Sequence, residues 1–311
     1  MTIRPQDVRF GIEIETTMIT RHEACIAIQS VTGGTVTTSY GHKVTLDDGR
    51  SWKAVSDGSI RSPNGRAAEI VSPILTDDDL DDVQEIVRAL RRAGARVNES
   101  CGIHIHVDAG GSGEAGRGLP STLGAFSHDG KDAAKTIRNL VKLCHKNDEL
   151  IGAALGISAS RRRQWCQPVA GDFVDGISSD RNLTLDRMNV RWYGYQNSRP
   201  NHYDSSRYAG LNLHNVWYRG TVEFRWFDAT LHAGVVKSYI QLCRCLTAKA
   251  INARSCSSTK TPLRTASAKY DFRCLLLSLG MIGDEYKTAR LHLLKNLTGS
   301  AAWKNGRPEG R

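Results

Sequence analysis

Three segments of the chain alternate apolar and polar residues with the two-residue period of a β-strand. Because side chains two residues apart point to the same face, each segment has one apolar face and one polar face. A solvated sheet face without a function could carry one such polar pair, but three together favour a functional site. The polar faces carry Glu13 and Glu15 in the first segment, His104, His106 and Asp108 in the second, and Glu223 and Arg225 in the third.

Other patterns predict the remaining elements. Residues 35–60 are typical of β-hairpins with a turn at 47–49, and residues 67–75 of a short strand. Thr76 is expected to cap a helix that ends at Gly94. Further helices are predicted over 131–155, 234–251, 267–279 and 284–297.

Two regions in the second half of the chain do not have a helical pattern. Residues 158–208 are predicted to be irregular, and residues 208–228 to form a hairpin that turns at Gly220. Since several neighbouring strands are hairpin-linked, the sequence predicts an α+β fold with an antiparallel sheet rather than a doubly wound parallel sheet.

The composition is that of a globular protein, with 311 residues, 40% hydrophobic and 24% charged. No apolar run approaches the ~20 residues of a membrane span, and residues 1–15 lack a signal-peptide core, so we expect a soluble, cytoplasmic protein. The eight cysteines are scattered and are expected to be reduced packing residues. Residues 158–311 contain 24 basic and 11 acidic residues, a net charge of +13, which favours an anionic partner.

The residue types on the polar faces indicate a hard metal ion. Carboxylates suit Mg²⁺ or Mn²⁺, and one histidine can join them as a nitrogen ligand. A divalent cation beside an arginine is typical of phosphoryl transfer. Asp57 and Glu69 fit the same site, although Asp57 precedes a glycine and could be only a turn residue.

Residues 110–130 contain seven glycines and are predicted to form a mobile loop that could act as a lid. Residues 111–116 fit the spacing G-x-G-x-x-G, but no helix follows that could point at a pyrophosphate. Residues 124–131 resemble a P-loop with the wrong spacing. Neither match predicts a nucleotide site.

Five motifs together resemble the amidoligase family, over roughly residues 8–250. The resemblance implies a glutamine synthetase-like fold, in which a concave antiparallel sheet backed by helices binds ATP and Mg²⁺ or Mn²⁺. It places a catalytic domain over residues 1–255, followed by a helical extension and tail over 256–311. The motifs are F-G-I-E-I-E, W-x-x-x-x-D-G-S, A-E-I-V-S-P, N-x-S-C-G-I-H-I-H-V-D and G-T-V-E-F-R-W-F.

The resemblance also implies an activity, an ATP-dependent ligase that joins a carboxylate to an amine through an acyl phosphate. Glu13, Glu223 and either His104 or His106 would hold the metal at the nucleotide phosphates. A second metal, nearer the acceptor carboxylate, would be held by Glu15, Glu69 and Asp57. The transferred phosphoryl group would contact Arg225. The carboxylate or the phosphates would be bound by Arg162, Arg163 or Arg207 and oriented by Asn212 and Tyr208.

Two other functions are compatible with the sequence. A metal hydrolase could bind zinc through His104, His106 and Asp108, but this leaves the glutamate pairs unused. A nucleic-acid-binding protein could use the basic half, with Trp165, Trp192, Tyr193 and Tyr195 stacking on bases. For the ligase, the basic half is compatible with an acidic peptide or protein as the carboxylate substrate, and an amine is the co-substrate.

Overall fold

The computed structural model describes residues 2–39, 41–108 and 133–305. Within these ranges eight strands form one sheet in the order β2-β3-β4-β5-β1-β6-β8-β7, and every neighbouring pair is antiparallel. The α+β prediction with an antiparallel sheet is therefore confirmed. The strands are β1 (Phe10–Thr17), β2 (Thr35–Thr37), β3 (His42–Thr45), β4 (Ser51–Val55), β5 (Ala67–Val71), β6 (Gly102–Asp108), β7 (Leu211–Asn212) and β8 (Thr221–Asp228).

Eleven α-helices lie in the described ranges. The long helix α9 packs against α2, α3 and α11 and also against the central strand β6, while α1 packs on strands β3 to β5. The helices are α1 (Arg21–Thr32), α2 (Leu80–Arg92), α3 (Ala133–Lys146), α4 (Asp148–Leu155), α5 (Ala159–Gln164), α6 (Gly171–Ser179), α7 (Leu185–Tyr193), α8 (His214–Tyr218), α9 (Ala233–Asn252), α10 (Ala268–Ser278) and α11 (Lys287–Leu293).

The apolar faces predicted from the alternation form the core between the sheet and the helices. Ile14 of β1, Ile103 and Ile105 of β6, and Phe224 of β8 are completely buried. Burying one such side chain contributes about 1.5–3 kcal/mol, so the core holds the three central strands in register. That register fixes the polar face on the opposite side of the sheet.

A β-bulge interrupts the pairing of β6 and β8. Ile103 lies opposite Phe227, but Ile105 lies opposite Phe224, so β8 has one extra residue in this interval. A one-residue shift exchanges the two faces of a strand. Phe227 consequently stacks on Tyr239 of α9, with ring centroids 4.3 Å apart, although simple alternation would place it on the polar face.

Two helix starts differ from the predictions. Helix α1 was not predicted, although Thr20 and Glu23 form a capping box whose T-x-x-E spacing is visible in the sequence. Helix α2 begins at Leu80 rather than near Thr76, because Asp79 is the N-cap. The backbone N–H and the hydroxyl of Thr76 donate to the Asp79 carboxylate, so Thr76 supports the cap from outside the helix.

Three other predicted elements are corrected. Residues 158–208 are not irregular throughout but contain the short helices α5 to α7. The side chain of Ser158 caps the start of α5, and that of Thr184 caps the start of α7. The predicted helix 131–155 is interrupted at Asn147, between α3 and α4. The predicted hairpin 208–228 instead holds α8 between β7 and β8, and Gly220 turns the chain with a φ of +77°.

The C-terminal helices α10 and α11 confirm the predicted helical pattern, and the boundary predicted at residue 255 falls between α9 and α10. The glycine-rich segment 110–130, with its two rejected nucleotide motifs, lies outside the described residues, as do residues 306–311 of the predicted tail. Among the described helices, none combines the length and the hydropathy of a membrane span. Six of the eight cysteines are buried and none is in a disulfide, as expected for packing residues.

Candidate active site

Cross-strand pairing brings the predicted acidic and histidine side chains together. Glu15 of β1 lies opposite Glu69 of β5, and Glu13 lies opposite His104 of β6. His106 in turn lies opposite Glu223 of β8. Directly opposed side chains in an antiparallel pair are within contact distance. The four strands β5, β1, β6 and β8 therefore form one continuous polar patch.

This patch is the floor of a cavity of about 550 Å³. The cavity is also lined by Arg207, Asn212 and Asp57, which are three of the residues singled out in the sequence. His106 is not among the lining residues, and it is 9% exposed. The other predicted site residues that line the cavity are Glu13, Glu15, Glu69, His104, Glu223 and Arg225.

Burial shows that the polar face is not merely solvated. Glu223 is 2% exposed, Glu15 and His104 are each 5% exposed, and Arg225 is 7% exposed. Ionised groups are rarely buried to this extent unless they are paired or bind an ion. The interpretation of these strands as an ordinary wet sheet surface is therefore wrong.

The Glu13 carboxylate is at the centre of the patch. Its Oε2 lies 3.1 Å from Nδ1 of His104, and its Oε1 lies 3.4 Å from Nε2 of His106. Arg219 donates from Nη1 to the same Oε1 at 3.1 Å. One glutamate thus contacts two imidazoles and a guanidinium.

The Glu223 carboxylate is held by neutral and charged donors together. The side-chain amides of Asn212 and Asn215 each donate to Oε2 at 2.6 Å, and Nη1 of Arg225 donates to Oε1 at 2.6 Å. Asn215 lies in α8, the helix that replaces the end of the first strand of the predicted hairpin. These three bonds fix the orientation of the carboxylate before any ligand binds.

Electrostatics keep Glu13 and Glu223 ionised. Burial by itself would raise the pKa of Glu13, but His106 and His104 hold it well below its usual value. Burial also acts against ionisation of Glu223, yet Arg225 and the two histidines lower its pKa to about 2. The pKa of His106 is lowered by burial but raised more by Glu13, so the net change is upward.

The acids on the other side of the patch have weaker cationic contacts, such as the 3.9 Å between Oε1 of Glu15 and Nε2 of His104. Burial, followed by the negative charges of Glu13, Glu15 and Asp57, raises the pKa of Glu69 to about 9. Burial is also the main reason that the pKa of Glu15 is raised. In the described part of the chain, no lysine or arginine forms an ion pair with Glu15, Asp57 or Glu69. A cation bound here would supply the missing positive charge.

Among the residues that the structure describes, three sets of donor atoms are close enough to hold a metal ion, and the atoms of each set lie within 4.8 Å of one another. The chemistry fits a hard divalent cation, because seven of the nine places in these sets are carboxylates and two are imidazoles. Nε2 of His106 is buried without a hydrogen bond, while Nδ1 bonds Thr221 Oγ1 at 3.0 Å. This is the arrangement of a ligand histidine whose other nitrogen is fixed. The sets are Glu13, His106 and Glu223; Glu13, Glu69 and His104; and Glu15, Asp57 and Glu69.

Asp57 has two roles that the sequence left as alternatives. Its Oδ1 accepts a hydrogen bond from the backbone N–H of Ser59 at 2.7 Å, which is an Asx turn. It also belongs to a donor set with Glu15 and Glu69. The turn therefore positions the carboxylate at the edge of the cavity.

Two arginines of the site were missed in the sequence. Arg161 is 5% exposed, lines the cavity, and donates to the backbone carbonyls of Cys101 and Arg225. Its guanidinium lies over Gly102, where an added Cβ would be 2.3 Å from Nη2. The sequence does not show which of the three consecutive arginines at 161–163 points into the cavity, because their directions depend on how α5 is placed. Arg219, the other missed residue, follows α8 directly.

Several predicted residues lie elsewhere. Arg162 is not among the residues that line the cavity; its guanidinium forms an ion pair with Asp148, so its predicted contact with carboxylate or phosphates is corrected. Arg163 is exposed, and Tyr208 packs edge-on against Trp165.

The residues of the two alternative functions are used differently from the predictions. The partners of His104 and His106 are Glu13, Glu15 and Glu223, while the side chain of Asp108 lies outside the described residues. Of the four aromatic residues proposed to stack on bases, only Tyr195 is largely exposed, at 59%; Trp192 and Tyr193 pack on other aromatic rings, and Trp165 lines the cavity.

Glu69→Gln is expected to stabilise the protein in the absence of divalent cations. The pKa of Glu69 is about 9 in the folded chain and ordinarily about 4.5, so the folded state binds a proton that the unfolded state releases. Its contribution to stability is complete below pH 4.5 and is lost as the pH rises towards 9. Glutamine does not titrate, so the free energy of unfolding at pH 7.5 should increase by about 1–3 kcal/mol.

Chemical denaturation in EDTA between pH 5 and pH 9 tests this prediction. The wild type should lose stability with rising pH relative to the variant, and the two curves should converge near pH 5. Parallel curves over the whole range would show that Glu69 is not held among like charges.

Comparisons with known proteins agree with the motif analysis. None of the curated proteins matches the chain in sequence. Among solved structures, a bifunctional glutathione synthetase from Pasteurella multocida is similar with 12% identity and a TM-score of 0.40, covering 94% of this chain and 47% of that one. The chain spans about half the length of that enzyme, and a similarity of this size says nothing about a shared activity. A family model described as "Putative amidoligase enzyme" matches residues 6–247, most of the chain, which therefore belongs to the amidoligase family.

Proposed function

We propose that this protein is an ATP-dependent ligase that joins a carboxylate to an amine with the help of Mg²⁺ or Mn²⁺. The observation that carries the proposal is the pair of donor sets Glu13–His106–Glu223 and Glu15–Asp57–Glu69, all of whose carboxylates line one cavity. Both sets contain the hard ligands that these cations prefer. A buried guanidinium beside two cation sites is the equipment for transferring a phosphoryl group.

The two donor sets differ in charge, which assigns a role to each. Glu13 and Glu223 are paired with arginines that line the cavity, so a cation held there with His106 would face the nucleotide phosphates. Glu15, Asp57 and Glu69 lie on the side of Lys53, at the other end of the cavity, and would hold a cation at the acceptor carboxylate. The order of the acid-bearing strands supports a glutamine synthetase-like fold, which we propose as well.

The basic and aromatic wall of the cavity is suited to the nucleotide. Arg207 and Arg219 reach this wall, as do the rings of His202, Tyr203 and Tyr218. The His202 and Tyr203 rings are stacked 5.0 Å apart, and Tyr203 is 88% exposed. Guanidinium groups bind phosphate oxygens, and exposed rings stack on a base.

The proposed reaction has two steps. An oxygen of the acceptor carboxylate attacks the γ-phosphorus of ATP, the bond to the β-phosphate oxygen breaks, and ADP leaves. The amine nitrogen then attacks the acyl carbon, phosphate leaves with the bonding electrons, and the nitrogen loses a proton. Bound divalent cations would supply the charge that screens the carboxylate from the triphosphate.

Within these steps the guanidinium of Arg225 is placed to stabilise the phosphoryl oxygens. It is buried, held by Glu223 and by the Trp165 carbonyl, and open to the cavity. A donor fixed in advance stabilises developing charge without reorganising. Arg161 reinforces the same wall with a second buried positive charge.

The substrates are proposed only by class. The acceptor is a carboxylate, and an acidic peptide or protein would be attracted to the basic half of the chain. The co-substrate is an amine.

Ligand-dependent melting distinguishes this function from the two alternatives. A stabilisation that requires ATP and Mg²⁺ together supports the ligase; binding of zinc or of an RNA probe without nucleotide would support a hydrolase or a nucleic-acid-binding protein. A mass-spectrometric screen of carboxylates and amines with ATP should then reveal a product that has lost one water. Absence of any ATP–Mg²⁺ effect would contradict the proposal.

The two histidines should respond differently to substitution. Nε2 of His106 is buried without a hydrogen bond, 3.4 Å from Glu13, whereas Nδ1 of His104 is hydrogen-bonded to Glu13. We expect His106→Ala to weaken Mn²⁺ binding in the presence of ATP by more than about 100-fold, and His104→Ala by about 10–100-fold. Calorimetric titration of both variants measures the difference, and equal, mild losses would argue against an imidazole ligand.

A further inference from the structure

Arg219 forms an ion pair with the Glu13 carboxylate, which the proposed cation would need as a ligand. Its Nη1 lies 3.1 Å from Oε1 of Glu13, and the same oxygen lies 3.4 Å from the free Nε2 of His106. Glu13 takes part in two of the three donor sets. In the protein without metal, the positive charge next to this carboxylate is therefore supplied by the chain itself.

The guanidinium groups that pair with Glu13 and Glu223 differ in how firmly they are held. The Arg225 side chain is 8% exposed and bonds both a carboxylate and a backbone carbonyl. The Arg219 side chain is 38% exposed; its guanidinium bonds Glu13 and lies over the Tyr218 ring, 5.5 Å from the centroid. Arg219 also precedes Gly220, whose φ of +77° marks a turn. Arg225 is fixed, while Arg219 can leave Glu13 at the cost of one ion pair.

A divalent cation and the Arg219 guanidinium cannot both lie against Glu13 without repelling each other. A new anion in the cavity would remove this conflict, because the guanidinium could bond it instead. The triphosphate of a nucleotide is such an anion, and Arg219 lines the cavity in which it would lie.

We propose that Arg219 is a displaceable counter-ion that couples the binding of metal to the binding of nucleotide. Its guanidinium neutralises Glu13 in the empty site, yields Glu13 to the divalent cation, and moves to the triphosphate oxygens. This inference rests on the proposed function, and it predicts opposite effects of Arg219 on the cation alone and on the cation–triphosphate complex.

The test uses Arg219→Gln, with Mn²⁺ as the probe. Free Mn²⁺ measured by electron paramagnetic resonance gives the affinity of the site without nucleotide, and we expect the variant to bind about 10-fold more tightly than the wild type. Calorimetry with preformed Mn²⁺–ATP and Mn²⁺–tripolyphosphate should show the reverse, about 10-fold weaker binding by the variant. A role limited to holding the fold would not change the two affinities in opposite directions.

Two further variants serve as controls for this experiment. Arg219→Lys keeps the charge and should bind Mn²⁺ alone within about threefold of the wild type, even if the glutamine variant is unstable. Arg66→Gln is the matched control: like Arg219, Arg66 is a partly exposed arginine that pairs with a glutamate, but its pair with Glu23 lies outside the cavity, so Mn²⁺ affinity should not change with or without nucleotide.

The outcomes separate this inference from the proposed function. If the wild type binds Mn²⁺–ATP but Arg219→Gln binds Mn²⁺ alone no more tightly than the wild type, the counter-ion exchange is wrong and the ligase proposal stands. If the wild type binds neither Mn²⁺ nor Mn²⁺–ATP, both are wrong.

Discussion

Glu13→Gln is expected to abolish the stabilisation by ATP and Mg²⁺ and to reduce ligase turnover by about 10³-fold or more. Glu13 lies on a central strand and belongs to two of the three donor sets, so its charge contributes to both. Glutamine keeps the shape but not the charge. Thermal melting with and without ATP–Mg²⁺, together with turnover of a mixed substrate pool, measures both effects.

The control for this variant is Glu85→Gln, which removes an exposed glutamate of α2 that pairs with Arg88. It should behave like the wild type in both measurements. Wild-type stabilisation of Glu13→Gln by ATP–Mg²⁺ would show that the polar face is not the metal site.

Glu223 is a less suitable position for the same experiment. A glutamine there would place an amide against Asn212, Asn215 and Arg225, all of which now donate to the carboxylate. Breaking a buried ion pair costs about 3–5 kcal/mol. Glu223→Gln should therefore lower the melting temperature of the protein without ligands as well as weaken metal binding.

Arg225→Lys is expected to lower turnover by about 10²–10³-fold while much of the ATP affinity remains. Lysine supplies a point charge, whereas the guanidinium can bond two phosphoryl oxygens at once. If the contact is made mainly in the transition state, kcat and kcat/KM fall together. Turnover and the melting temperature are measured on the same preparation.

The ion pair between Arg225 and Glu223 means that Arg225→Lys should also lose stability, so a structural control is needed. Arg244→Lys provides one, because Arg244 is 2% exposed and bonds Asp77 and the Val8 carbonyl, and it does not line the cavity. It should lower the melting temperature and leave turnover within a few-fold of the wild type. A similar result for Arg225→Lys would assign Arg225 a purely structural role.

Much of the site followed from periodicity alone. A strand has an exact two-residue period, so the alternation around Glu13, His104 and Glu223 predicted which side chains share a face. The apolar residues between them predicted where the helices pack, and both predictions are confirmed by burial. Period and face are local properties, and a local pattern encodes them.

The features of the site that the sequence could not determine depend on tertiary contacts between segments that are far apart in the chain. The inward direction of Arg161, the bond from Arg219 to Glu13 and the choice between His104 and His106 all depend on how α5, α8 and β8 are placed against β1. The bulge in β8 likewise arises from pairing with β6. The sequence by itself thus determined the α+β class, the family and the acidic face, because strand alternation and ordered motifs are local. Only the tertiary structure decided which cations face each carboxylate, because such contacts join residues up to 206 positions apart.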